Sequence, residues 1–371
     1  MNNTKVPSEG SNFSSTLRQL LDIMVQQGAS DLHIAVGLPP CLRLDGKLSP
    51  IEDMPSLLPN ESMGLCFSVL SKEQQQQFER DLEIDFSFGV RGLSRFRASL
   101  FQQRGAVSGT FRVIPFRIGT PDELGLPNIV ADLAKKPRGL VLITGPTGSG
   151  KSTTLACIVN LINHNRHEHI ITIEDPIEYL HQHRNCIVTQ REIGTDTRTF
   201  SDAIRRILRQ DPDVIQVGEM RDLASIEATL TLAETGHLVL ATLHTSSAIN
   251  TINRIVDVFP PYKQKQIQIQ LSFALEAVIC QQLLPRIGGG RVLALELFFP
   301  NAAIRNLIRE DKLHQIYSQM QIGQTQHGMQ TLNQSLCDLY TRNQISLDDA
   351  LSRSTDILEL RQMLNQLKRE S

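Results

Sequence analysis

Nine consecutive residues, Gly145-Pro146-Thr147-Gly148-Ser149-Gly150-Lys151-Ser152-Thr153, constrain this chain more than any other feature. They satisfy GxxxxGK[ST], follow the apolar run 140–144 and open a stretch of helical periodicity. That strand–loop–helix setting separates a phosphate-binding loop from a chance match. The glycines let the backbone curl until its N–H groups converge on the β- and γ-phosphates of a nucleotide. The helix N-terminus adds positive potential, Lys151 bridges the phosphates, and the Ser152 hydroxyl is suited to ligate Mg²⁺. The motif therefore predicts a nucleoside triphosphate site, and it dictates a strand feeding a helix at this point of the fold.

Around the loop, short apolar runs at 140–144, 170–173, 214–217, 238–243 and 292–297 alternate with helical patterns, as in a parallel α/β sheet. From about residue 301 the pattern is mainly helical, with Ser346-Leu347-Asp348-Asp349 as a helix start. The 371 residues predict about two domains. Upstream, a helix over 17–25 capped by Ser14 or Ser15 precedes strands at 32–36 and 41–44 and a turn at Asp45-Gly46. A polar helix over 62–80 and an alternating strand over 82–90 come next. Strands 94–101 and 107–113 read as a hairpin with its tip at Arg104 and Gly105. Pro115, Pro121, Pro127 and Pro137 punctuate a linker. The expected division is an N-terminal α+β domain at 1–115, its first 16 residues a disordered tail, and a linker plus α/β domain at 116–371.

Composition excludes several classes. The 37 basic and 39 acidic residues nearly cancel, which gives no electrostatic case for direct nucleic-acid binding. The basic run Arg198, Arg205, Arg206 and Arg209 reads as a solvated helix face. Six cysteines are scattered singly with no CxxC pair, so neither a zinc module nor a redox motif can be read. No signal-peptide pattern opens the chain and no apolar run is long enough to span a bilayer, so a reducing cytosol is expected.

A phosphate loop needs an acidic group downstream to hold the metal and position the attacking water. Glu174 and Glu219 both end apolar strands, where an α/β sheet opens its ligand crevice. His244 ends the strand 238–243 in the same way and is a candidate for γ-phosphate contact. Arg97 and Arg112 face each other across the predicted hairpin; as pattern alone they are two solvated arginines on a polar face. No NKxD-type guanine reader and no LSGGQ-like signature is present, which disfavours a GTPase switch and a transporter ATPase.

The boxes GPTGSGKSTT, ITIEDPIEY, DPDVIQVGEMRD and AETGHLVLATLHT resemble, in this order, those of the secretion-superfamily ATPases. Beyond them, Ala303-Ile304-Arg305-Asn306-Leu307-Ile308-Arg309-Glu310 matches the AIRNLIRE motif of the PilT-type pilus retraction ATPases, and Ser30-Asp31-Leu32-His33 and the arginine hairpin are also similar to that family. The resemblance runs from about residue 16 onward. It implies a PAS-like N-terminal domain, a RecA-like ATPase domain, ATP and Mg²⁺ as ligands, and a homohexameric ring. Lys151 and Ser152 take the Walker A roles, Glu219 that of the Walker B glutamate with a share in the metal, and Glu174 that of the Asp-box glutamate. His244 belongs to the His box. Arg97 and Arg112 become the N-domain arginines that reach ATP. The implied work is type IV pilus retraction and twitching motility at the inner face of the cytoplasmic membrane. The implied partners are an inner-membrane pilus platform protein and a second pilus ATPase. A related secretion or DNA-transfer ATPase, or an ATP-binding regulator of another pilus motor, are the alternatives. Gln216 departs from the family's usually all-apolar Walker B run.

Overall fold

A computed structural model describes residues 16–44, 46–114, 117–323 and 328–370. Residues 1–15 of the expected tail, Ser14 and Ser15 among them, and Asp45 and Pro115 lie outside the described residues, whereas Thr16 is described. The chain forms two compact units, Met1–Arg117 and Ile118–Ser371.

The first unit contains α1 (Leu17–Gln26), β1 (Asp31–Ile34), β2 (Cys41–Leu44), β3 (Lys47–Pro50), α2 (Pro59–Phe67), α3 (Lys72–Asp81), β4 (Glu83–Val90), β5 (Ser94–Gln103) and β6 (Ala106–Ile114). Its six strands form one sheet in the order β3-β2-β1-β6-β5-β4, antiparallel throughout. Alternation on β5 sends Phe96, Ala98 and Leu100 inward, where they meet Leu20, Leu21 and Met24 of α1 in one core. Thr16 caps α1: its hydroxyl accepts from Gln19 N while Gln19 Oε1 accepts from Thr16 N at 2.6 Å. The helix expected over 62–80 is two helices, because Ser71 starts a second capping box with Gln74. Strand β3 escaped the sequence reading, since all four of its residues are exposed and show no alternation.

The second unit begins with the short helices α4 (Pro121–Leu124) and α5 (Asn128–Ala131). The segment read as a linker is part of the core here, with Leu126, Val130, Leu133 and Ala134 buried. Then come β7 (Gly139–Thr144), α6 (Lys151–Asn165), β8 (His169–Glu174), β9 (Ile187–Glu192), α7 (Phe200–Ile207), β10 (Val214–Val217), α8 (Leu223–Glu234), β11 (Leu238–Leu243), α9 (Ala248–Asp257), α10 (Pro261–Ala274), β12 (Leu275–Pro285) and β13 (Arg291–Phe298). Among the described residues five helices follow: α11 (Ala302–Arg309), α12 (Ile316–Ile322), α13 (Leu332–Thr341), α14 (Leu347–Arg353) and α15 (Ile357–Glu370).

The seven strands run β13-β12-β7-β11-β10-β8-β9. All neighbours are parallel except β12 and β13, and this corrects the expectation that 292–297 joins the parallel set. Residues 286–290 are too few for a crossover, so β13 has to return antiparallel. Along β7, Leu140 and Leu142 enter one core with α7–α10, whereas Val141 and Ile143 enter another with α6. Burial on both faces is why the inner parallel strands read as continuous apolar runs.

Candidate functional site

Strand β7 is buried over its whole length and delivers the chain into the phosphate loop. Gly145 has φ +138°, and a Cβ there would collide with Gln281 O and Ser149 Oγ, so only glycine fits. Gly150, at φ +91°, precedes α6 and offers no side-chain cap, so the first N–H groups of that helix stay available to a ligand. Lys151 Nζ donates to Gly145 O at 2.8 Å and Pro146 O at 3.1 Å. Burial holds its pKa below the usual lysine value, against the charges of Glu219 and Glu178. Ser149 Oγ is buried without a hydrogen-bond partner. An unanswered hydroxyl, an uncapped helix start and a lysine on loop carbonyls together suit a phosphate group.

Glu174 closes β8 and is buried. Its Oε1 accepts from Thr172 Oγ1 at 2.6 Å and from Gln190 Nε2 at 3.2 Å. Burial pushes the carboxyl up to about 7, although the hydrogen bonds from Thr172, Gln190 and the Glu178 backbone oppose it. Glu219 lies two residues past β10 and is more open. It accepts from Arg221 Nε at 2.9 Å on Oε2 and has His244 Nε2 at 3.2 Å from Oε1. Arg221 also comes within 3.5 Å of Asp175 Oδ2. The phosphate loop, His244, Glu219 and Glu174 thus follow the carboxyl ends of β7, β11, β10 and β8, which are neighbours in that order. Gln216 is buried on β10, and its Oε1 has no partner.

Three supporting side chains were not singled out from the sequence. Tyr179 OH lies 2.8 Å from Thr153 Oγ1, Gln281 Nε2 donates to Thr154 Oγ1 at 2.8 Å, and Gln190 meets Glu174. Neutral polar residues carry no periodicity or charge signal that would mark them.

In the first unit Arg97 and Arg112 are direct cross-strand partners. Arg112 Nε donates to buried Asp31 Oδ1 at 2.8 Å, and Arg43 Nε lies 3.7 Å from Oδ2 of the same carboxylate. Asp31 is the anion that makes two adjacent arginines tolerable on this face.

The segment 303–310 occupies α11 and its end. Ile304 and Ile308 are buried in the core. Arg305 donates to Ser272 O at 2.8 Å and Phe273 O at 3.1 Å, the last carbonyls of α10, and pairs with Glu276 at 2.9 Å. Glu276 also takes Lys136 Nζ at 2.8 Å. Arg309 instead lies over the exposed Phe273 ring, 5.5 Å from its centroid. Arg305→Ala should therefore cost about 1–3 kcal/mol of stability, since it removes the donor to two carbonyls and leaves Glu276 with Lys136 alone. Arg309→Ala should cost less than about 1 kcal/mol, the worth of an exposed cation–π contact. Urea unfolding of the two variants checks this order.

A parallel α/β sheet whose adjacent carboxyl ends carry a phosphate loop, two acidic residues and a histidine defines the P-loop nucleotide-hydrolase class. Residues 122–290 match the family described as "Type II/IV secretion system protein". The chain is 48% identical to the type IV pilus retractation ATPase PilT of Pseudomonas aeruginosa, over 91% of this chain and 98% of the relative. It is 42% identical to the type IV pilus ATPase PilU of the same organism, over 93% and 90%. The crystal structure of the pilus retraction motor PilT with bound ADP superposes with a TM-score of 0.89 at 51% identity, covering 94% of this chain and 100% of that one. The chain belongs to the PilT family of secretion-superfamily ATPases.

Proposed function

We propose that this chain is an ATP-hydrolysing motor that powers type IV pilus retraction, built from a PAS-like N-terminal domain and a RecA-like ATPase domain. The observation that carries the reading is the convergence of the phosphate loop, Glu219, Glu174 and His244 at four adjacent strand ends, on a chain similar to PilT over nearly its full length. The loop N–H groups and Lys151 bind the phosphates. Ser152 and Glu219 would hold Mg²⁺, which supplies charge neutralisation on the phosphate oxygens when bound. Glu174 accepts the proton of the attacking water, because a base poised near neutrality suits that task. His244 steadies Glu219 and faces the γ-phosphate.

Arg97 and Arg112 of the N-terminal domain supply the cations that answer charge developing on ATP. The working assembly is a homohexamer in the cytoplasm, acting at the inner face of the membrane on a pilus platform protein, with a second pilus ATPase as a further partner. No helix among the described residues is long and apolar enough to cross a membrane. ATP hydrolysis per subunit should rise with protein concentration alongside a hexamer-sized species, measured with Mg²⁺ by coupled assay and light scattering. Nucleotide binding with negligible turnover at every concentration would instead favour a regulator of another pilus motor.

A further inference from the structure

We propose that Gln190 is a positioning residue for ATP hydrolysis: its amide holds the Glu174 carboxylate in one orientation and ties it to the first turn of α6. The inference rests on reading Glu174 as the group that activates water.

Strands β8 and β9 are parallel neighbours with Thr172 opposite Gln190. The strand period of two then puts Thr172, Glu174 and Gln190 on one face of the sheet. The orientation of the Gln190 amide follows from its partners. Its Oε1 accepts from His181 N at 2.8 Å, which leaves the two Nε2 hydrogens for acceptors. One goes to Tyr179 O at 2.8 Å and the other to Glu174 Oε1 at 3.2 Å. Thr172 Oγ1 donates to that same Oε1 at 2.6 Å. With both side-chain donors on one oxygen and the Glu178 backbone also bonded to the carboxylate, the group cannot swing freely. The Tyr179 hydroxyl meets Thr153 Oγ1 at 2.8 Å, so the tyrosine that Gln190 grips by its carbonyl also touches the residue after Ser152. The amide therefore registers the base against the phosphate loop.

The charged groups that face this cluster are Glu178 beyond β8, which acts on the Glu174 carboxyl, and Glu192, directly opposite Glu174 on β9. His181 is held neutral, with burial pushing it down to about 4.

The test uses the full chain with Mg²⁺ and ATP, and measures kcat together with affinity for a fluorescent ADP analogue. Gln190→Leu should lower kcat on the order of 100-fold, the scale of an ångström-sized misplacement, while ADP affinity changes less than about threefold. In a Glu174→Gln background the same change should cost nothing further, because its effect passes through Glu174. Gln190→Glu keeps the shape and still accepts from His181 N, but faces Glu174 with a like charge. It should move the acid limb of kcat to higher pH. An unchanged kcat in Gln190→Leu, an equal loss in both backgrounds, or an unshifted limb in Gln190→Glu overturns the proposal. Full turnover by Glu174→Gln alone overturns the reading of Glu174 instead, and is seen before any Gln190 variant is made.

Discussion

Glu174→Gln is expected to leave nucleotide affinity intact and to lower kcat by about 10²–10⁴, the usual contribution of a positioned general base. The amide preserves the volume at a buried site and still accepts from Thr172 Oγ1, so packing at the end of β8 is retained. Wild-type kcat should rise with pH through about 7, where burial has placed this carboxyl, and the residual rate of the variant should lack that limb. Stability moves in a defined direction too. Between the ordinary carboxyl range and about 7 the folded chain keeps a proton that the unfolded chain has released. The contribution of Glu174 to stability therefore falls as pH rises across that window. Glu174→Gln should raise the thermal midpoint at pH 8 and alter it little at pH 4. A midpoint gain of equal size at both values would show that the residue is not a buried titrating group.

Replacing Arg97 and Arg112 together with alanine should reduce turnover by about 10³–10⁵ if they serve as arginine fingers. The sheet prepares them for such a role. Their register is direct, and Asp31 holds one guanidinium from beneath while its own carboxylate is buried. Lysine at either position would keep the charge and lose the planar fork, so it should recover only a small part of the rate. Binding of ADP should survive in the alanine double variant. Turnover within about tenfold of wild type would return both residues to the solvated-face reading, since a finger is worth far more.

The inner strands of the second unit were legible because burial on both faces leaves mostly apolar side chains, as in 238–243, where Thr242 is the one polar residue. The arginine hairpin was legible through its alternation and its tip, where Arg104 and Gly105 both take positive φ. Strand β9 was not, because Ile187-Val188-Thr189-Gln190-Arg191-Glu192 lies at the sheet edge and carries polar groups that serve a neighbour rather than a core. Strand β12 was hidden by continuity: it follows α10 without an intervening turn, so the apolar pattern changes period in mid-run. Within the site, the loop, the acidic strand ends and His244 are legible from motif and strand-end position. The role of Asp31 is not legible there, because its bond to Arg112 depends on β1 pairing with β6, a contact between residues 81 apart in sequence.

Strand β12 also changes how the 303–310 helix should be pictured. At one end Glu276 is gripped by Arg305 and Lys136; five residues on, Gln281 packs its carbonyl against Gly145 and its amide against Thr154. At a rise of about 3.3 Å per residue the two grips stand roughly 17 Å apart. Between them runs strand flanked by β7 and β13, with an irregularity only at its Leu275–Ala277 start. In mechanical terms the helix is bolted to a pushrod whose far end rests on the phosphate loop, and slack would have to come from breaking one of those two joints.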